Sequence, residues 1–222
     1  MDGKTTVRIV YFVSIMLCLL SINTPLVAEA TTRSSDMSKG SEVCFQQADA
    51  YRKLGDYRKA INEYDKCIKI NPKDSEAYIN RGASNIALGN LKQAIKDLDR
   101  AIEINPKSAD AYYNRGTSYF RLGDYDRAIK DYDRAIELNP KDSNTYTSRG
   151  TVYFSLNNPK RAIKDYDKAI ELNPKNAQAY NNRGNAHGSL GDQDKAINDI
   201  KTAARLGLKK AQDFLRQYKI AW

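Results

Sequence analysis

Histidine and tryptophan each occur once in 222 residues, cysteine three times and proline six times. Each scarcity excludes something. His187 is the single imidazole, and it has no serine or cysteine nucleophile pattern and no phosphate loop to work with. The chain therefore offers no catalytic constellation. Cys18, Cys44 and Cys67 have no further ligands near them, which argues against a metal site. Six prolines and 12 glycines are too few for a collagenous or low-complexity chain. Long apolar runs are also missing. The one candidate, Ile9 to Ile22, is interrupted by Ser14 and Ser21.

What remains is 41% hydrophobic and 28% charged, with a net charge of +9. That suits one globular or solenoid domain with a short extension. The basic balance favours an acidic partner, an anionic membrane surface or nucleic acid, or simply reflects a basic solvated surface.

The first thirty residues read as a signal peptide. Lys4 and Arg8 precede the apolar run, and Ala28-Glu29-Ala30 supplies a small-x-small cleavage site. As a helix the run spans about 21 Å, short of a bilayer core of about 30 Å. Cleavage is expected after Ala30, with Ala28 as the second choice; an uncleaved membrane anchor is the alternative. Residues 31–40 are polar and read as a flexible linker. Cleavage removes Cys18 and leaves Cys44 and Cys67 in an oxidising compartment.

Beyond the linker the chain repeats at an offset of 34 residues. Arg81, Arg115, Arg149 and Arg183 share one phase, each followed by glycine. Ala60, Ala94, Ala128, Ala162 and Ala196 share another, and Pro72, Pro106, Pro140 and Pro174 a third. Such a period marks a helical solenoid. In the copy 109–142, Tyr112, Arg115/Gly116 and Tyr119 form a three-and-four stripe on helix A. Ala128, Ile129, Tyr132, Ala135 and Ile136 form another on helix B. Ser108 opens helix A as an N-cap, like Asp74, Asp142 and Asn176 at the same phase. Leu122-Gly123-Asp124 ends helix A and caps helix B. Asn157 replaces the turn glycine in the fourth copy, and Pro159 follows at a first helical position. Asn139-Pro140 stops helix B.

These phases resemble the tetratricopeptide repeat (TPR) family. The matching residues are Tyr78, Tyr112, Tyr146 and Tyr180; Gly82, Gly116, Gly150 and Gly184; the two alanine phases; and the closing proline. The resemblance implies an all-α, right-handed superhelical solenoid of five helix-turn-helix units, 41–74, 75–108, 109–142, 143–176 and 177–210. Residues 211–222 then read as a capping helix and tail, with Leu208, Ala211, Phe214, Leu215 and Tyr218 on one face over repeat five.

The family holds an extended peptide or partner helix along the concave face of its A helices. Carried over by phase, this implies a groove whose candidate peptide-binding residues are Asn80, Tyr113, Asn114, Phe120, Arg121, Phe154 and Asn182. Tyr113, Phe120 and Phe154 are apolar where solvent favours polar side chains, and are candidate anchors; packing against the adjacent helix is the alternative. Some relatives grip a terminal carboxylate with a lysine and an asparagine on one helix. The corresponding early phases hold Ile79/Ala83, Tyr113/Thr117 and Thr147/Thr151, so no such clamp is expected.

Three further expectations follow. Cys44, early on helix A, and Cys67, late on helix B, face each other in an antiparallel pair, so a disulfide is expected, with two buried thiols as the alternative. The Arg81–Arg183 phase pairs with Asp97, Asp131, Asp165 and Asp199 in a ladder, rather than reading phosphates. His187 stands where other copies have tyrosine and packs.

The groove floor holds little of the basic excess; Lys73, Lys107, Lys141 and Lys175 lie at its edge. That argues against nucleic acid. The expected protein is a non-enzymatic, periplasmic or secreted scaffold that binds a protein or peptide, without cofactor or small-molecule substrate. The alternatives are a membrane-anchored envelope assembly factor, if the first segment is retained, and a basic nucleic-acid-binding solenoid.

Overall fold

The computed structural model describes residue 40 and residues 42–222. The signal-peptide reading and the linker, except Gly40, lie outside the described residues; Gly40 is helical. The described residues form α1 (42–53), α2 (Tyr57–Ile70), α3 (Ser75–Ala87), α4 (Leu91–Ile104), α5 (Ala109–Arg121) and α6 (Tyr125–Leu138). They continue with α7 (Ser143–Ser155), α8 (Pro159–Leu172), α9 (Ala177–Ser189), α10 (Gln193–Arg205) and α11 (Lys209–Gln217). No strand occurs among them.

The boundaries follow from the repeated residues. Asp74, Ser108, Asp142 and Asn176 each cap an A helix through the side chain. Asp56, Asp124 and Asn158 do the same for B helices. Asn90 and Asp192, at the same phase as Asp124, do not cap their helices through the side chain. Asn90 instead donates from Nδ2 to Asn85 Oδ1 at 3.3 Å. The Asp192 carboxylate is drawn to Lys195, 3.3 Å away, and accepts no backbone N–H. The A–B turn needs a left-handed residue: Gly123 has φ +80° and Asn157 takes φ +56° in its place.

Each of α3, α5, α7 and α9 packs on its own B helix and on the preceding one. A helices also approach each other (α3–α5, α5–α7, α7–α9), whereas no pair of B helices approaches comparably among the described residues. The stack therefore curves, with the A helices on the inner side. Glycine permits the close A–B approach: a Cβ on Gly150 would lie 2.8 Å from Tyr166 Cε1, and one on Gly116 3.1 Å from Tyr132. The alanines are fully buried beside these large rings, alternating small and large along the core.

α11 closes the far end, but with a different face from the one expected. Ala211 and Leu215 are buried against Ile200, Ala203 and Ala204, with Leu208 and Ile220 packed around them. Phe214 and Tyr218 are exposed. Lys219 turns left-handed at φ +54° and the Ile220 N–H returns to Leu215 O, so Ile220 takes the space expected for Tyr218.

Candidate peptide-binding groove

The inner side is built from single faces of α1, α3, α5, α7 and α9. The three candidate anchors are half-buried, each with its body in a seam between helices. Tyr113 lies with its ring centroid 5.9 Å from that of Tyr132, and its hydroxyl accepts from Ser148 Oγ of the next repeat at 3.5 Å. Phe120 sits 5.9 Å from Tyr125. Phe154 packs on the cluster of Ala162, Tyr166 and Ala186. Packing and display are thus not alternatives here: each ring fills a seam and leaves part of itself at the surface.

The polar candidates differ among themselves. Among the described residues the Asn80 carboxamide has no hydrogen-bond partner. Asn114 donates from Nδ2 to Asp110 O on its own helix at 2.9 Å. Asn182 donates to Thr151 Oγ1 at 3.1 Å and accepts from Gln178 Nε2, so repeats four and five are joined across the floor. Arg121 donates to Ile86 O of repeat two, and its guanidinium lies along the floor. In repeat one Asp49 is 3.2 Å from Arg52 and accepts from Tyr64 Oη at 2.8 Å, so this part of the floor carries a paired charge.

The sequence reading missed a buried polar seam in repeat four, where Asn176, the residue that caps α9, meets α7. Asn176 Nδ2 donates to Ser143 Oγ at 2.8 Å and to Thr147 Oγ1 at 3.1 Å, while Ser143 Oγ donates to Ala169 O at 2.8 Å. The available signal was Thr147 at a phase held by Ile79 and Tyr113 in earlier copies.

The arginine phase forms a ladder with two carboxylates per rung. Arg149 Nε and Nη2 hold Asp165 at 2.9 and 2.6 Å, and its Nη1 holds Asp133 of the preceding repeat at 2.6 Å. Arg81, Arg115 and Arg183 repeat this with Asp97/Asp65, Asp131/Asp99 and Asp199/Asp167. Hydrogen bonds to Asp131 and Asp199 raise the guanidinium pKa of Arg115 and Arg183, against the opposing effect of burial. These arginines are committed to carboxylates. Only the first carboxylate of each rung was expected. The second also repeats every 34 residues, sixteen positions before the arginine, and was legible on that ground.

Cys44 and Cys67 meet between α1 and α2 with Cα atoms 5.7 Å apart, a separation that a disulfide spans. Repeat one lacks the arginine of the ladder, having Gln47 at that phase. His187 packs as expected, but its buried Nδ1 has no hydrogen-bond partner and lies 3.6 Å from Asp192 Oδ2. Two open depressions, of about 410 and 510 Å³, lie at the A–B turns around Leu122, away from the groove floor.

Known proteins agree with this architecture. Models described as tetratricopeptide repeat match residues 109–142, 131–164 and 177–206, and one described as TPR repeat matches 48–89, 84–123 and 150–191. No curated protein matches the chain. Two crystal structures of MamA are similar. One is 28% identical at a TM-score of 0.64, covering 83% of this chain and 98% of its own. The other is 32% identical, also at 0.64, covering 74% and 96%. YrrB, described as a TPR protein with an unusual peptide-binding site, shares the fold at 20% identity and a TM-score of 0.60, covering 80% of this chain and 92% of its own. With in-phase repeats, paired helices and a curved stack, the chain belongs to the tetratricopeptide repeat family and is a right-handed solenoid scaffold for protein–protein interaction.

Proposed function

We propose that the protein is an exported, non-catalytic adaptor that holds an extended peptide segment of a partner along its inner face. The observation that carries this reading is the floor from α3 to α7. Half-buried Tyr113, Phe120 and Phe154 are held in seams, and the Asn80 carboxamide stands without a partner among the described residues. Rings fixed by their neighbours lose little rotamer freedom on binding, which favours them as anchors. Asn80 and the Oδ1 of Asn114 then pair with backbone groups of the bound segment, and Asn182 does so by exchanging its bond to Thr151. Arg121 lies beside Phe120 and suits a carbonyl or carboxylate of the ligand.

Export rests on the order of basic, apolar and small residues before Thr31, and places the protein in the periplasm or outside the cell. The Cys44–Cys67 disulfide belongs to the same reading, since an oxidising compartment maintains it. A retained first segment would instead make the protein a membrane-anchored assembly factor.

The test is site-specific photocrosslinking in the native cell. A photoreactive residue at Asn80 or Asn114 is expected to capture a partner that one at Lys130, on the outer helix α6, does not. Replacing Tyr113, Phe120 and Phe154 by alanine should abolish that adduct. Undiminished adducts from a folded triple variant would sink the groove assignment.

A further inference from the structure

α11 carries more than a cap requires. Capping uses Ala211 and Leu215, which are 1% and 0% exposed. Phe214, Tyr218 and Trp222 remain 40%, 59% and 38% exposed. The Phe214 and Tyr218 rings stand one helical turn apart with centroids 4.8 Å apart, and Trp222 lies 5.8 Å from the Arg216 guanidinium. The terminal unit of a solenoid ordinarily turns a polar face to water. An exposed aromatic pair on this helix, with a third exposed ring on the tail that follows it, marks a contact surface.

The charges around them indicate what is contacted. Residues 205–222 hold Arg205, Lys209, Lys210, Arg216 and Lys219 against a single carboxylate, Asp213. All five basic residues are exposed.

We propose that this end of the solenoid docks on an anionic lipid surface. The basic side chains meet the headgroups, and Phe214, Tyr218 and Trp222 enter the interface. Tyrosine and tryptophan suit that depth because each has an apolar body and a polar tip. No helix among the described residues is long and apolar enough to cross a membrane, so the contact is interfacial. A second copy of the same face is disfavoured, because it would oppose like charges. The surface lies at the far end of the solenoid, on α11 and the turn before it, and is independent of what the groove holds.

Trp222 is the only tryptophan, so its emission reports this surface whatever the first thirty residues do. Full-length protein is titrated with vesicles of phosphatidylcholine containing phosphatidylglycerol, and with phosphatidylcholine alone. The expected result is a blue shift of Trp222 and its protection from acrylamide with the anionic vesicles only, reversed by salt. Lys209→Gln with Lys210→Gln weakens partitioning about 30-fold, at about 1 kcal/mol per basic residue. Phe214→Ser with Tyr218→Ser removes the shift. Both double variants keep the parent's thermal melt, because none of the four side chains is buried. Four results would each overturn the proposal. One is unchanged Trp222 emission with anionic vesicles. Another is an equal shift with phosphatidylcholine alone. The third is a shift that follows protein concentration without lipid, pointing to a second copy. The last is a response to an oligonucleotide but not to vesicles.

Discussion

Arg115 Nη1 lies 2.7 Å from Asp99 Oδ1, a carboxylate of the preceding repeat, while its Nε and Nη2 grip Asp131 of its own. One side chain on α5 thereby ties α4 to α6. Three other rungs repeat the arrangement, so the outer helices, which do not pack closely on each other, are joined through arginines of the inner layer.

The two carboxylates of a rung should differ in their effect on stability. The Asp131 side chain is 8% exposed and that of Asp99 is 47% exposed. Arg115→Met leaves Asp131 buried without its partner and should destabilise by about 3–5 kcal/mol. Asp99→Asn breaks a largely solvated pair and should cost about 1 kcal/mol or less. Urea unfolding of both variants checks this. Equal effects would mean that the link between repeats matters as much as the link within one.

Gly150 is the tightest A–B contact onto a ring. Gly150→Ala should destabilise by about 1–3 kcal/mol, because the new methyl group meets Tyr166 at 2.8 Å. Tyr166→Leu in the same chain should recover part of the loss by making room. A double-mutant cycle on thermal unfolding measures this coupling.

Repeat one has Gln47 where later repeats have arginine, and it is the repeat that carries the cysteine pair. Closing 23 residues should stabilise by about 3 kcal/mol on the loop-entropy estimate. Reductant should lower the unfolding midpoint, and alkylation should label Cys44 and Cys67 only after reduction. Labelling before reduction would exclude the bond.

Stability should fall in alkali. Burial pushes the Tyr132 and Tyr166 hydroxyls up from 10.0 to about 12. The folded state therefore holds these protons more tightly than the unfolded chain. Their contribution is complete below pH 10 and is lost as pH rises toward 12, by up to about 3 kcal/mol for each group. Tyr132→Phe with Tyr166→Phe should flatten the dependence of unfolding free energy on pH between 10 and 12. An unchanged slope would place the titration elsewhere.

Much of the architecture was legible because repetition multiplies weak signals. One Gly-Asp dipeptide means little, but four turn glycines at a 34-residue phase, with asparagine in the fourth copy, define a turn type. Arg149 and Asp165 were paired from phase alone. Asp133 was not, because its partner lies in the adjacent repeat and the reading stayed within one unit. The outward turn of Phe214 and Tyr218 was not legible either. A helical wheel places both near Leu215, and the left-handed turn at Lys219 that lets Ile220 fill the site is set by packing after the helix ends.

The groove candidates divide along the same line. Phase placed Asn80, Asn114 and Asn182 on one inner face, since helical periodicity and a constant repeat length determine which side chains line up. It could not say that Asn182 is bonded to Thr151 while the Asn80 carboxamide has no partner among the described residues. By itself the sequence determined the repeat, its helices, most of their caps and the small residues that let them approach, all of which depend on neighbours within about one turn or one period. Only the tertiary structure decided which polar groups satisfy each other and which aromatic rings are left facing outward. Those outcomes depend on side chains brought together from different repeats by the curvature of the stack.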